Sequence, residues 1–274
     1  MLNRVIGLHF SPTGRLAEMT EKMVHDIADR LSESCASDVE FTCIDLLKDS
    51  LEDPMEFDED TVVVLGVGVY TGRIPLPLIK RIQRLHGNGA MMVGLVTYGN
   101  TSYGDSLYEL CTFAEEQGFR MISAGAFIAR HPMFEKIADH RPDADDYAKL
   151  REFARCTSDK IKRLSGCLVG GLRIEPAPLE VKGSMPRKGP VKLPLHPVPN
   201  ADCINCGECA RICPTGAISI DDVAHVNTRK CILCSACMTT CPEDARGLFG
   251  PMAEASRLAM EVMYRRRKEP EWFL

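Results

Sequence analysis

Five short apolar runs, residues 2 to 10, 38 to 46, 61 to 70, 90 to 98 and 119 to 129, punctuate the first half of the chain. They are rich in Val, Ile, Phe or Met, which favour strands. Between them the apolar residues recur at helical spacing. Over Leu16 to Leu31, Met19, Met23, Ile27 and Leu31 fall four apart, on one face of a helix. Leu76 to Leu85 and Ser106 to Gln117 repeat that pattern, and Asp143 to Leu164 predicts a longer, charged helix. Strands alternating with helices over the first 165 or so residues predict an α/β domain. Its expected form is a doubly wound parallel sheet of five strands, most economically in the order 2-1-3-4-5.

From Arg173 to Ala201 the periodicity is lost. Seven of the chain's 17 prolines lie here (Pro176, Pro178, Pro186, Pro190, Pro194, Pro197 and Pro199), so neither a helix nor a central strand can run through. The chain therefore divides into a first domain of residues 1–170, a semi-rigid linker of 171–200, a second domain of 201–250 and a tail of 251–274. In the tail, Met252, Ala255, Leu258, Ala259, Val262 and Met263 form a helical stripe, followed by Arg265-Arg266-Arg267-Lys268. That run reads as favourable charge at a helix C-terminus. The final Trp272-Phe273-Leu274 carries the only tryptophan and is expected to pack against one of the domains.

The second domain is an internal repeat. Cys203, Cys206, Cys209 and Cys213 recur as Cys231, Cys234, Cys237 and Cys241, each offset by 28 residues, with Pro214 and Pro242 following the fourth cysteine. Each half reads C-x2-C-x2-C-x3-C-P, the run associated with bacterial two-cluster ferredoxins, in which the fourth cysteine ligates the other cluster. By that rule Cys203, Cys206, Cys209 and Cys241 hold one [4Fe-4S] cluster, and Cys231, Cys234, Cys237 and Cys213 the other. Gly207 and Ser235 are small enough to let backbone N–H groups approach the sulfurs. A pair of zinc ribbons is the competing reading, but structural zinc normally uses two C-x2-C pairs rather than triplets. Cys35, Cys43, Cys111, Cys156 and Cys167 share no such spacing and read as inert thiols.

Composition narrows the setting. A formal charge of -5 argues against nucleic-acid binding through accumulated cations. The longest charge-free stretch, Gly87 to Gly104, is broken by glycines and polar residues and predicts a strand with its loops, not a membrane span. No signal-peptide pattern opens the chain, so the expectation is a cytoplasmic protein, where dense cysteines serve metals rather than disulfides.

In a doubly wound sheet, ligands bind at the carboxyl ends of the strands. Three loops are candidates. Ser11-Pro12-Thr13-Gly14-Arg15-Leu16 offers hydroxyls, a glycine and a helix N-terminus to a phosphate, or is simply a capped turn. Gly68 to Pro75 and Thr97 to Asp105 contain Tyr70, Tyr98 and Tyr103, three of six tyrosines, which could stack on a planar ring or close the sheet's rim. No G-x-G-x-x-G motif follows a strand, so a nicotinamide site is not indicated.

The first 165 residues resemble a flavodoxin and the last 75 a two-cluster ferredoxin, in the order of the flavodoxin-ferredoxin fusion proteins of anaerobic microbes. The resemblance rests on Ser11-x-Thr13-Gly14, Val69-Tyr70-x-Gly72-Arg73-x-Pro75, Tyr98-Gly99-Asn100 and the cysteine runs. It implies FMN in the first domain. Ser11, Thr13, Gly14, Arg15 and Leu16 would face its phosphate, and Val69, Tyr70, Thr71, Gly72, Arg73, Tyr98, Gly99, Asn100, Tyr103 and Asp105 its ring. The usual Gly-Asn-Thr continuation of the phosphate loop is Gly14-Arg15-Leu16 here, which trades a hydroxyl donor for a cation. The implied function is an electron relay between FMN, two [4Fe-4S] clusters and a redox partner protein. Two other functions fit the same sequence: an FMN-dependent reductase of a small acceptor, supplied by the clusters, and a ferredoxin with a flavin-free docking domain. His131 is the proton donor the reductase would need, or an ordinary loop histidine.

Overall fold

The computed structural model describes residues 2–35, 38–49, 51–165, 177–184 and 195–274. Five parallel strands form the body of the first domain: β1 (Arg4–Phe10), β2 (Glu40–Asp45), β3 (Thr61–Gly68), β4 (Met91–Tyr98) and β5 (Arg120–Ile128). A sixth, β6 (Glu271–Phe273), comes from the C-terminal tail and pairs antiparallel with β5. The sheet order is β6-β5-β4-β3-β1-β2. Its parallel part thus runs 2-1-3-4-5, with the switch in strand order between β1 and β3. The central β3 and β4 are buried almost throughout, which is why their sequences read as continuous apolar runs. Edge strand β2 is covered on neither its first residues nor its outer side, and Phe41 there is exposed.

Four helices cover the two faces. On one, α1 (Arg15–Cys35) and α4 (Ala144–Leu164) bury Met19, Met23, Ile27 and Leu31 together with Leu150, Phe153 and Ile161. The four residues of α1 expected on one face are fully enclosed. Each such side chain contributes about 1.5–3 kcal/mol relative to leaving it in water. On the opposite face, α2 (Leu76–Ile82) and α3 (Ser106–Glu116) pack Leu78, Ile82, Leu107 and Leu110. An Asp143/Asp146 capping box fixes the start of α4, satisfying backbone N–H groups that would otherwise lack partners.

Parts of the predicted linker, and Cys167, lie outside the described residues. Of the described part, residues 177–184 lie on the first domain and residues 195–200 join the second, where Val198–Pro199 pair with Arg246–Gly247. Leu179 and Val181 pack on the α2/α3 core, and Ser184 N–H donates to Asp105 Oδ1 at 3.2 Å.

The second domain has little regular structure. It contains the one-turn helices α5 (Glu208–Arg211) and α6 (Ala236–Thr239) and an antiparallel pairing of Val198–Pro199 with Arg246–Gly247. Its buried apolar cluster consists of Cys209, Ile218 and Val223. A core that small cannot offset the chain entropy of about 50 ordered residues, so this fold needs a cross-link such as a metal centre. Helix α7 (Pro251–Met263) follows. Its expected apolar stripe faces solvent at Met252, Leu258, Val262 and Met263, and α7 buries Ala253 instead. Period alone puts those residues on one face, and burial needs a second surface against it. Pro251 fixes its first turn, and just beyond its last turn Tyr264 and Arg266 are held by Asn100.

Candidate metal centres and the loops above the sheet

The duplication extends to backbone strain. Asn205 and Leu233, Gly207 and Ser235, and Gly216 and Asp244 are pairs related by the repeat, and all six residues have positive φ. Left-handed backbone costs a leucine or serine about a kcal/mol or more, so both loops are held in one required shape. Two cavities result. Cys203, Cys206, Cys209 and Cys241 line one, and Cys213, Cys231, Cys234 and Cys237 line the other. Each takes three thiols from one repeat and the fourth from the other. Among the described residues no three His, Cys, Asp or Glu side chains close on a single ion. Three thiols from one C-x2-C-x2-C run with the fourth from the other repeat are the donor set of a [4Fe-4S] cluster, not the paired C-x2-C donors of a zinc ribbon.

The fourth cysteines receive the same backbone bond. Ala217 N–H donates to Cys213 Sγ at 3.2 Å, and Ala245 N–H to Cys241 Sγ at 3.3 Å. At Cys213 burial works against ionisation, but bonds from Thr215, Ala217 and Ile218 outweigh it and bring the thiol below its ordinary value. Burial pushes Cys234 up to about 12 and Cys237 to about 11, the latter against the pull of Arg246. Such thiols ionise only when a metal's positive charge replaces the proton.

The two loops differ in exposure. Ile204, Asn205, Cys206 and Glu208 of the first repeat are exposed, whereas their counterparts Ile232, Leu233, Cys234 and Ala236 are half-buried or buried. Burial, with a contribution from Cys234, drives the Tyr70 hydroxyl well above its ordinary range. Tyr70, two residues past β3, is thus within electrostatic reach of a cysteine of the second cavity.

The three candidate loops sit at the carboxyl ends of β1, β3 and β4, which are neighbours in the sheet. In the first, Ser11 Oγ accepts from Ala17 N–H at 3.0 Å, and Gly14 turns the chain at φ +80° with open space where a Cβ would stand. Thr13 is half-buried, while Arg15 is exposed and lies 3.7 Å from Glu18. Leu16 points into the α1 core against Gly66, so only its backbone can reach a phosphate. In the second, half-buried Val69 packs on the α2/α3 core. Tyr70 and Arg73 then exchange two backbone hydrogen bonds around Thr71 and Gly72, both at positive φ. The third loop clamps this turn: Asp105 N–H donates to Gly72 O at 3.0 Å, and a Cβ on Gly104 would lie 2.6 Å from that oxygen.

Several residues expected to face a ring have another task. Arg73 is buried and pairs with Glu109 at 2.8 Å and Asp105 at 2.9 Å. Asn100 is buried; its amide donates to Tyr264 O and Arg266 O at 2.8 Å each and accepts from Lys268 N–H at 3.1 Å. Tyr103 donates to Glu271 at 2.6 Å. Tyr98, packed against Tyr103, is pushed up to about 12 by burial, and Gly99 lies against His131. The tail that receives these bonds continues into β6, where Trp272 stacks on Phe127 at 6.4 Å and contacts Phe153 at 6.0 Å. The basic run before it is an anchor: Arg267 pairs with Asp143 and Glu269, and Lys268 with Thr101 O. His131 is also structural. Its Nδ1 accepts from Met133 and Phe134 N–H at 3.2 Å each, and burial lowers its pKa to about 4.

The sequence of the cysteine-rich region matches a known family over residues 202–247. Residues 202–247 are a 4Fe-4S dicluster domain. No curated protein matches the chain. Solved structures similar to its first part include a flavodoxin from the domain Archaea, 16% identical, covering 58% of this chain and 99% of that one with a TM-score of 0.39. An azoreductase from Bacillus anthracis is 14% identical over 58% of this chain and 100% of that one, TM-score 0.38. Rubredoxin oxygen:oxidoreductase from the anaerobe Desulfovibrio gigas is 16% identical over 58% of this chain and 37% of that one, TM-score 0.36. The flavodoxin-like description of the first domain is carried by its own sheet order. Thus the dicluster domain follows a flavodoxin-like α/β domain in one chain. Among the described residues no helix is long and apolar enough to cross a membrane.

Proposed function

We propose that this chain is an iron-sulfur flavoprotein that relays electrons between FMN on the flavodoxin-like domain and a redox partner protein, through two [4Fe-4S] clusters. The observation that carries the reading is the division of eight cysteines between two cavities, each completed by the other repeat's fourth cysteine. Cys203, Cys206, Cys209 and Cys241 would hold the first cluster, and Cys231, Cys234, Cys237 and Cys213 the second. When bound, FMN exchanges two electrons singly and each cluster one, which joins two-electron to one-electron chemistry.

The residues divide the labour. Ala217 and Ala245 donate to ligand sulfurs, which stabilises their thiolate form. The second repeat's loop, the more enclosed of the two and electrically coupled to Tyr70, is the inner station. The open Ile204 to Glu208 loop is the outer station, where apolar Ile204 and Ile220, the latter packed over Gly207, offer a partner a surface around the first cavity. On the first domain, the residues that fit FMN are the open Gly14 turn, with Ser11, Thr13, Arg15 and the Leu16 backbone at its phosphate end, and Val69 to Gly72 with Tyr98 at its ring end. Arg73, Asn100, Tyr103 and Asp105 support these loops from behind.

The direct reductase reading loses its proton donor, because His131 is buried, neutral and engaged through Nδ1. The anaerobically purified chain should contain about eight irons and a flavin absorption band. Removing FMN should abolish electron flow from a flavin-specific reductant to the clusters. Clusters that reduce and pass electrons on at an unchanged rate without FMN would refute the relay, and a preparation that never contains flavin would favour the docking domain.

A further inference from the structure

Arg246 stands where the internal repeat breaks its own symmetry. Cys213-Pro214-Thr215-Gly216-Ala217-Ile218 returns 28 residues later as Cys241-Pro242-Glu243-Asp244-Ala245-Arg246. Both final positions are enclosed, Ile218 and Arg246 each only 5% exposed. An isoleucine needs nothing more from such a place than apolar contact. A guanidinium brings a charge and five N–H donors, and burying these without partners is costly.

The protein meets little of that demand. Arg246 Nη1 donates to Val223 O at 2.7 Å and lies 3.6 Å from Cys209 Sγ. Nε and Nη2 are buried with no protein partner. Among the described residues no carboxylate forms an ion pair with Arg246, so its charge is not neutralised by Asp or Glu. Its place is between the two sets: it lies against Cys209 of the first cavity, and Cys237 of the second packs on the same Cys209, Ile218 and Val223 cluster whose Val223 carbonyl Arg246 holds. A buried cation at the seam of two ligand sets, with donors left over, is matched by the sulfur-rich, negatively charged cages those sets would enclose.

We propose that Arg246 is a cation shared by the two clusters, its free N–H groups donating to their sulfurs, and that it raises both reduction potentials together. The proposal rests on the cluster reading above. Reducing either cage adds one electron and one negative charge, supplied in a titration by dithionite. No bond to Arg246 forms or breaks and no proton is taken up, because the guanidinium already carries the compensating charge. Net charge and hydrogen bonds to sulfur set such potentials, and Arg246 supplies both.

The experiment is an anaerobic redox titration of the full chain, followed by EPR, for wild type, Arg246→Ile and Arg246→Lys, each with its iron and sulfide content. Isoleucine is what the first repeat places at this position, which makes Arg246→Ile a volume the fold already accommodates. Both midpoint potentials should move to more negative values in Arg246→Ile and stay near wild type in Arg246→Lys. Unmoved potentials in Arg246→Ile overturn the proposal, and a shift at one cluster alone overturns the sharing. Should Arg246→Ile lose iron, pulsed EPR of reduced protein carrying 15N-arginine decides instead. The proposal requires a nitrogen coupling at both clusters that disappears in Arg246→Lys, and its absence in wild type refutes it. A wild type without about eight irons overturns the cluster reading itself, an outcome distinct from eight irons with unmoved potentials.

Discussion

Replacing His131 by Asn isolates a pH dependence built into the first domain. The imidazole is buried, and its unprotonated Nδ1 accepts two backbone N–H groups from the turn that follows. Protonation would destroy both bonds and bury a charge. The folded chain therefore holds His131 neutral down to about pH 4, whereas the unfolded chain protonates it near its ordinary value of about 6.5. The stabilising effect is complete above pH 6.5 and is lost as the pH falls toward 4, because in that window only the unfolded chain takes up the proton. Each unit is worth about 1.4 kcal/mol, so lowering the pH from 7 to 5 removes about 2 kcal/mol through this residue alone. The asparagine of the variant can present an amide oxygen where Nδ1 stood and cannot titrate. Urea unfolding of the two holoproteins at pH 7 and pH 5 can be followed by fluorescence of Trp272, the only tryptophan, which packs between β5 and α4. Wild type should lose about 2 kcal/mol more than His131→Asn over that interval. Equal losses in both proteins would show that the buried, accepting imidazole is not the state in solution.

Asn100→Ala removes three hydrogen bonds to the tail, each worth about 1 kcal/mol; it should destabilise the chain by about 2–3 kcal/mol and move Trp272 emission to longer wavelength as β6 loosens. Arg73→Met takes the cation from beside buried Glu109 and should cost about 3–5 kcal/mol, part of which Glu109→Gln restores in the double variant, as a double-mutant cycle by urea unfolding would measure. Cys241→Ser, although in the second repeat, should remove the same cluster as Cys203→Ser. Iron should fall from about eight to about four per chain while the EPR signal of the other cluster persists, and loss of the second-repeat signal instead would refute the crossed pairing.

Much of this molecule is legible as periodicity. Met19, Met23, Ile27 and Leu31 announce the face of α1 because helical spacing and burial are local facts, and the runs that become β3 and β4 are continuous because both faces of those strands are covered. The cysteine repeat is legible for a stronger reason. Its spacing is a requirement of the cage, so chemistry writes it directly into the chain. Other features carry no local signal. Asn100 is indistinguishable in sequence from a ring-facing loop residue, yet it is spent on carbonyls more than 160 positions away. The stripe on α7 has the right period for burial and faces water, because periodicity does not say whether another surface covers that face.

The sequence by itself therefore determined the order of strands and helices, the duplicated cysteine loops and the proline-rich segment between the two domains. Each follows from spacing within one element or from the demands of a bound cluster. Only the tertiary structure decided that the tail adds a strand to the sheet, that the second cysteine loop is enclosed while the first faces solvent, and that Arg246 is buried against Cys209. Those facts depend on which surfaces the fold brings together and how much water it removes from between them. An arginine near the end of a repeat reads as a surface charge until the chain around it has closed.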